Sequence, residues 1–181
     1  MVFDMPYNTY RDKKIALFNA KKIIKKTKSD AVKLEGGSKI KDIVKHLIKN
    51  KIPVLGHLGI MPQSVRGKFK SKGKTERERT KILKDAKVLE KLGVFAIVLE
   101  CIEKSLAKKI TNEVKVPTIG IGSSVYCDGQ ILVTDDLIGL TNSKIKFVKK
   151  YINISNNIAT AVKKFKQEVK LKKYPTKKYS Y

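Results

Sequence analysis

The feature that most constrains this chain is the regular alternation of short apolar runs with longer amphipathic stretches. The apolar runs have the length of β-strands, and they lie at residues 1–4, 31–35, 53–59, 94–100 and 116–122. Stretches with apolar residues at helical spacing lie at 38–50, 75–93 and about 104–113. Strands that alternate with helices in this way predict βαβ units and a parallel sheet. An open α/β sheet and a (β/α)8 barrel both satisfy the pattern.

Signals at helix ends and the lack of internal repeats define the predicted organisation. Thr75 begins a stretch with the spacing of a capping box, and Gly93 stands where a C-terminal glycine cap belongs. Three further segments are expected to be a polar loop, a last long helix and a flexible tail, at 61–75, about 155–171 and 176–181. We therefore predict one domain over residues 1–175, followed by the tail.

The net charge of +25 is extreme and raises the question of a nucleic-acid partner. The lysines are spread over nearly every predicted helix, and lysine far outnumbers arginine, which is the better reader of bases. The few aromatic residues do not interleave with a basic groove. Lysine on solvated helix faces explains the charge, so a nucleic-acid partner is not expected. Salt-sensitive binding of DNA or RNA is kept as the non-enzymatic alternative.

The cysteine usage and the apolar runs bear on the compartment. Cys101 and Cys127 show neither CxxC spacing nor a histidine cluster, which fits a reducing cytosol and argues against structural zinc. No apolar run approaches the ~20 residues of a membrane span. The first residues lack the long apolar core of a signal peptide. The sequence therefore predicts a cytoplasmic protein without a membrane partner.

Polar residues end four successive apolar runs. Asp4 ends "MVFD", Glu35 ends "AVKLE", His57 lies in "LGHLG", and Glu100 ends "AIVLE". Lys33 and Glu35 are two apart, so in a strand they project from the same face. Parallel α/β folds place their sites at the carboxyl ends of the strands, where these residues are predicted to meet.

The residue types at the strand ends suggest a chemistry. Two carboxylates around one pocket suit a hard cation such as Mg²⁺, and a third can act as a base. A lysine in the same mouth can hold an anionic substrate. From the residues alone, we interpret the pattern as a metal-assisted lyase or an aldol-type transferase that acts on a small acid.

Each of these residues also has a purely structural interpretation. Asp4 can cap a loop, Lys33 and Glu35 can form a plain ion pair, His57 can be a satisfied core histidine, and Glu100 can cap the following helix. The joint placement of all of them at one end of one sheet favours a site, because each structural interpretation accounts for only one position.

Five longer stretches form an ordered set of motifs along almost the whole chain. They are "VKLEGG" (32–37), "PVLGHLGIMPQSV" (53–65), "IVLECI" (97–102), "VPTIGIGSS" (116–124) and "CDGQILVTDDLIGL" (127–140). In this order they closely resemble the ketopantoate hydroxymethyltransferase family. The resemblance implies a (β/α)8 barrel that uses Mg²⁺ and 5,10-methylenetetrahydrofolate to hydroxymethylate 3-methyl-2-oxobutanoate. The product, 2-dehydropantoate, leads to pantothenate and coenzyme A.

The resemblance also implies roles for individual residues. Asp4 and Glu35 match the carboxylates that bind the metal, and Asp4 also lies against the substrate. Lys33 matches the lysine that holds the keto acid, and His57 matches a histidine that lines the pocket. Glu100 matches the proton acceptor. The resemblance assigns no residue to the folate.

One departure from the family affects the expected fold. Family members carry two further strands, with a "VGDS" motif, before the stretch that corresponds to "FDMPY" (3–7). We therefore expect a barrel that is incomplete at its N-terminus, with about six of eight βα units. The alternative is a truncated or split, inactive fragment of that enzyme; in the split case the missing strands come from a second chain. The family also implies a homo-oligomer.

Overall fold

The computed structural model of the protein describes residues 1–63 and 70–181, so residues 64–69 of the predicted polar loop lie outside the described part. The chain forms two compact units, Met1–Ile131 and Leu132–Tyr181. In the part that is described, no helix combines the length and the apolar character that crossing a membrane requires. The expected single domain over 1–175 and the tail at 176–181 stay predictions.

The first unit is built from alternating strands and helices. Its strands are β1 (Val2–Asp4), β2 (Ala31–Glu35), β3 (Val54–Gly59), β4 (Ala96–Glu100), β5 (Thr118–Ile121) and β6 (Gly129–Gln130). Its helices are α1 (Lys13–Thr27), α2 (Lys41–Lys49), α3 (Glu76–Leu92) and α4 (Lys104–Glu113). A short 3₁₀ turn, Ser38–Ile40, precedes α2. The predicted strands and helices are confirmed, whereas α1 and β6 were not predicted.

The six strands form one parallel sheet in the order β1-β2-β3-β4-β5-β6. Each strand therefore pairs with the next strand along the chain, as in a (β/α)8 barrel. The sheet curls into a half-barrel, which confirms the expected incomplete barrel of the TIM type. All carboxyl ends of the strands lie along one edge, where the predicted site residues are.

The core lies between the sheet and its helices. Leu34, Ile97 and Leu99 from the strands are fully buried together with Leu47 of α2 and Leu89 of α3. Full burial of one such side chain contributes about 1.5–3 kcal/mol. The outer faces of β2 and β4 thus pack against the helices. The opposite, inner faces carry polar residues, among them Lys33, Glu35 and Glu100.

The predicted cap of α3 is only half correct. The Thr75 side chain accepts a hydrogen bond from the Glu78 N–H at 3.3 Å, and Gly93 ends the helix in the left-handed region with φ 90°. The Glu78 carboxylate, however, accepts from the N–H groups of Gly73 and Lys74 rather than from Thr75. Glu78 therefore fastens the incoming loop instead of closing a reciprocal box.

The second unit contains α5 (Thr134–Leu137), α6 (Ile154–Lys170) and a short 3₁₀ turn, Lys177–Tyr179. Helix α6 confirms the predicted last long helix. It begins at the N-cap Asn153, whose side chain accepts from the Asn156 N–H at 3.1 Å. The ring of Phe165 meets that of Tyr174 edge to face at 5.4 Å.

Candidate active site

The register of the sheet brings the predicted site residues together. Asp4 of β1 pairs with Lys33 of β2, and Glu35 of β2 pairs with His57 of β3. Glu100 ends β4 beside the last residue of β3. All five residues lie at the carboxyl edge of four neighbouring strands, as the sequence predicted.

Lys33 is the cation at the centre of this cluster. Its Nζ lies 2.8 Å from Asp4 Oδ2 and 3.3 Å from His57 Nδ1. The Lys33 side chain is 18% exposed, so water screens these contacts only in part. The ion pair considered in the sequence, between Lys33 and Glu35, is not the one that forms: the pairing partner is Asp4 on the neighbouring strand.

His57 is buried and neutral, and its neighbours fix its tautomer. The Lys33 ammonium is only a donor, so Nδ1 must accept. The backbone oxygen of Ile60, 2.7 Å from Nε2, is only an acceptor, so Nε2 carries the proton. Burial and then the charge of Lys33 lower the pKa of His57 to about 4. The structural interpretation of His57 as a satisfied core histidine is thus correct, and the same residue also belongs to the cluster.

Glu100 has a partly buried carboxyl group that accepts no hydrogen bond from the residues that the structure describes. Its Oε2 lies 3.4 Å from His57 Nε2, and its side chain is 13% exposed. Burial is the main cause that raises the pKa of Glu100 to about 7, and the charge of Lys33 opposes it. Since His57 is neutral and its Nε2–H is donated to the Ile60 oxygen, this contact is not an ion pair. Glu100 therefore exchanges a proton near neutral pH.

A glycine positions the backbone of Glu100. Gly59 has φ 103°, and a Cβ added there would lie 2.0 Å from the Glu100 carbonyl oxygen. The neighbouring Ile60 N–H donates to that same oxygen at 2.9 Å. Only glycine allows β3 to approach β4 so closely at this point.

Glu100 does not cap α4, which rules out its structural interpretation. The cap is Glu103, whose carboxylate accepts from the N–H groups of Ser105 and Leu106 at 3.0–3.2 Å. Arg79 of α3 donates to the same carboxylate at 3.0 Å. Glu100 is therefore left free of a structural task at the helix end.

Glu35 has one satisfied and one unsatisfied oxygen. Its Oε1 accepts from the Gln63 N–H at 3.4 Å. Its Oε2 is buried and has no hydrogen-bond partner among the described residues. Burial is the main cause that raises the pKa of Glu35 above the usual value for glutamate. A buried carboxylate oxygen without a partner is costly, and such atoms often mark a ligand site.

Gln63 joins the two carboxylates, and the sequence analysis missed it. Its side-chain Nε2 donates to Asp4 Oδ1 at 3.0 Å while its backbone N–H holds Glu35. Its own Oε1 is buried without a partner within residues 1–63 and 70–181. Gln63 follows β3 in a segment predicted only as a polar loop, and its partner lies 59 residues away in sequence. Nothing in the local pattern pointed to it.

Comparison with known proteins shows the family of the chain. The profile of the family described as ketopantoate hydroxymethyltransferase matches residues 1–177. This chain belongs to that family. A protein of Pelagibacter ubique (strain HTCC1062) named 3-methyl-2-oxobutanoate hydroxymethyltransferase is 65% identical over 181 residues, all of this chain and 70% of the relative. The family resemblance noted in the sequence is thereby confirmed.

More distant members of the ketopantoate hydroxymethyltransferase family carry the same name. The proteins of Clostridium botulinum (strain 657 / Type Ba4) and Pyrobaculum aerophilum are 44% and 47% identical to this chain. They are matched over 100% and 99% of this chain, which covers 67% and 69% of their lengths. These names support a transferase enzyme with a hydroxymethyltransferase function.

The carboxylates of this family member fit a magnesium ion. Among the residues that the structure describes, no three His, Cys, Asp or Glu side chains cluster closely enough to form a complete protein cage for a metal. Mg²⁺ does not need one, because it is commonly bound by one or two carboxylates and keeps several waters. Asp4 and Glu35 supply hard oxygen donors, and the unpartnered Oε2 of Glu35 has a ligand position to spare.

Proposed function

We propose that this chain transfers a hydroxymethyl group from 5,10-methylenetetrahydrofolate to 3-methyl-2-oxobutanoate, giving 2-dehydropantoate for pantothenate and coenzyme A biosynthesis. The observation that carries the proposal is the contact chain from Asp4 through Lys33 and His57 to Glu100. It places a cation, a metal-competent carboxylate and a carboxyl with a pKa of about 7 at one strand edge. Each of the three assists removal of a proton next to a keto group.

Lys33 is proposed to hold the keto acid. The substrate is a small carboxylate, and the partly exposed ammonium of Lys33 is a matching donor. Asp4 and His57 fix the position of Nζ by accepting from it. Lys33 therefore presents its charge in a defined place before the substrate arrives, which lowers the entropic cost of orientation.

Asp4 and Glu35 are proposed to hold Mg²⁺, with Asp4 also against the substrate. When bound, Mg²⁺ supplies Lewis-acid polarisation of the keto oxygen. Gln63 keeps the two carboxylates in place, because it donates to both. Burial raises the pKa of Glu35 because it disfavours the charged form. A cation bound beside the Glu35 carboxylate stabilises that charged form.

Glu100 is proposed to accept the C3 proton of the keto acid. An ordinary carboxylate is too weak a base for this task, whereas a pKa of about 7 makes Glu100 a better acceptor that is still ionised in part near neutral pH. His57 lines the pocket, with its Nε2 3.4 Å from the Glu100 carboxylate. Neutral His57 keeps its own proton, since the Ile60 carbonyl oxygen accepts from the Nε2–H group at 2.7 Å. The C3 carbon freed of its proton then forms a bond with the methylene carbon of the donor, whose two bonds to the folate nitrogens break. A water molecule supplies the hydroxyl group of the product, and its remaining proton and the C3 proton go to those two nitrogens.

Exchange of the C3 proton of 3-methyl-2-oxobutanoate in D₂O, followed by NMR, tests the proposal without the folate. We expect exchange that requires Mg²⁺ and that Glu100→Gln slows by about 10²- to 10⁴-fold, the usual contribution of a general base. Glu103→Gln is the matched control, because it lies three residues away outside the cluster, and it should exchange within about threefold of the unchanged protein. A folded Glu100→Gln protein that exchanges as fast as the unchanged one would exclude Glu100 as the base.

The assembly of the active form belongs to the same proposal. A homo-oligomer in the cytoplasm is expected for the family, and light scattering on the purified chain measures its order. A polypeptide that carries the first two strands of the family should raise the exchange rate if a second chain completes the site. An unchanged rate at saturating amounts of that polypeptide would contradict complementation.

A further inference from the structure

A second cavity adjoins the candidate active site. It has a volume of about 240 Å³ and lies between the segment that follows β1 and the segment that follows β2. Glu35 forms one of its walls, so the cavity and the proposed metal site share a residue. Tyr10 connects the two as well, because its hydroxyl accepts from the Glu35 N–H at 3.3 Å. A ligand in this cavity would thus lie beside the keto acid.

The walls of this cavity combine aromatic rings with free cations. Tyr7 and Tyr10 line it with aromatic side chains, and Ile43 of α2 contributes a buried apolar surface. Arg11 and Lys39 also line it and are exposed. Neither of these two side chains has an ion pair or a hydrogen bond with any residue that the structure describes.

A larger groove between α3 and α4 has cations but, in the described part of the chain, no aromatic lining. Its volume is about 420 Å³. Three of the five cations described there have acidic partners: Arg79 pairs with Glu103, and Lys87 and Lys109 both pair with Glu113. No tyrosine, phenylalanine or histidine is among its described lining residues. The smaller cavity, which combines unpaired cations with two tyrosines, is therefore the better candidate for a ligand with an aromatic part.

We propose that the cavity beside Glu35 is the subsite for a ligand that joins a planar aromatic group to carboxylates. Tyrosine rings stack on planar aromatic groups, and arginine and lysine bind carboxylates. Complete small-molecule sites measure about 300–1,000 Å³, so this cavity takes one part of a larger ligand. On the proposed function, on which this inference rests, that ligand is the tetrahydrofolate donor.

The order of the residues gives the ligand a direction. Glu35 and Ile43 are 6% and 9% exposed, whereas Tyr7 is 60% exposed, and Arg11 and Lys39 lie at the open side. The carboxylates of the donor therefore lie at the mouth on the two cations, and the aromatic part extends from Tyr7 inward to Tyr10, whose hydroxyl contacts Glu35. This direction leaves the one-carbon end toward Glu35 and the keto acid.

Calorimetric titration of the full chain with 5-formyltetrahydrofolate, a stable form of the carrier, tests the subsite. We expect the double variant Arg11→Ala/Lys39→Ala to bind at least about fivefold more weakly, because two carboxylate contacts are lost. p-Aminobenzoylglutamate, the aromatic acid half alone, should compete for the same site. Lys45→Ala/Lys49→Ala is the matched control: it removes two charges from exposed positions of α2 that do not line the cavity, and it should bind within about twofold.

Equal weakening by both double variants would overturn the subsite, since it would reflect only the general field of a chain with net charge +25. Absence of binding by the unchanged chain would overturn it as well. The C3 proton exchange needs no folate, so it separates this inference from the proposed function. If only Arg11→Ala/Lys39→Ala loses binding, the subsite is supported even when no C3 proton exchange is seen. If C3 proton exchange occurs but both double variants bind the folate as the unchanged chain does, the proposed function is retained and the subsite is excluded.

Discussion

Two glutamates three residues apart show how differently this protein treats the same side chain. Glu103 caps α4 and accepts hydrogen bonds from Ser105, Leu106 and Arg79. These bonds, led by the one from the Ser105 hydroxyl, lower the pKa of Glu103 to about 2. Glu100 ends β4, is partly buried and lies 3.4 Å from His57, and desolvation raises its pKa to about 7. The number of hydrogen-bond donors around each carboxylate therefore decides whether it has a structural role or stays available for chemistry.

The difference extends to the regions around the two residues. At the N-terminus of α4 both carboxylate oxygens of Glu103 accept hydrogen bonds, so this carboxylate stabilises the helix end. At the strand edge, one oxygen of Glu35 is buried without a partner among the described residues. Such unsatisfied groups cost free energy in the protein alone and gain it when a ligand arrives. The carboxyl edge of the sheet is therefore less stable without a ligand than it would be if this oxygen had a hydrogen-bond donor.

The cation beside each glutamate offers the sharpest test of this comparison. Lys33 contacts the site residue Asp4, whereas Arg79 contacts Glu103, the cap of α4. Replacement Lys33→Met should lower the rate of C3 exchange at subsaturating keto acid by about 100-fold, since a charged anchor contributes about 1.5–3 kcal/mol. It should also raise the pKa of His57, which the Lys33 charge lowers. NMR titration of the imidazole protons measures that shift.

Arg79→Met is the matched control for Lys33→Met. It removes a cation of the cap and should reduce stability without a change in exchange rate or in the pKa of His57. If Lys33→Met left both readouts unchanged, Lys33 would be only part of a structural ion pair with Asp4. If Arg79→Met slowed exchange as much as Lys33→Met, the separation between cap and site would be wrong.

The pH dependence of stability should have opposite signs for the two glutamates. The pKa of Glu100 is raised in the folded state, so its contribution is present at low pH and is lost as pH rises through about 7. The pKa of Glu103 is lowered to about 2, so its contribution is present at neutral pH and is lost as pH falls from about 4.5 toward 2. Burial drives the first effect and hydrogen bonding the second.

Urea unfolding of the Gln variants measures these signs. Relative to the unchanged protein, Glu100→Gln should gain stability between pH 5 and pH 8, by on the order of 1–3 kcal/mol. Glu103→Gln should be less stable at pH 7, and the deficit should shrink as the pH is lowered. A deficit of Glu100→Gln that grows from pH 5 to pH 8 would mean that the Glu100 carboxylate is stabilised by contacts and is not a strained base.

The sequence predicted the elements of this site better than its contacts. Side chains two apart in a strand share a face, so Lys33 and Glu35 were placed together correctly. The partner of Lys33 depends on the register that sets Asp4 beside it, and no local pattern encodes a register between strands. The helix cap illustrates the same limit: both Glu100 and Glu103 precede α4, and only the turn of the backbone decides which one reaches its N–H groups.

Gln63 gives the smallest expected effect and tests whether the strand edge is organised before the metal binds. It donates to Asp4 with its side chain and to Glu35 with its backbone, so Gln63→Ala removes only the first contact. Loss of one supporting hydrogen bond contributes about 0.5–1.5 kcal/mol, so Mg²⁺ affinity measured by calorimetry should fall about 3- to 10-fold. Gln167→Ala on the exposed face of α6 is the control and should not alter it. Gln63→Glu should place a further carboxylate there and retain or increase the affinity. Weaker Mg²⁺ binding in Gln63→Glu than in Gln63→Ala would show that the carboxylates of Asp4 and Glu35 do not face a cation at all.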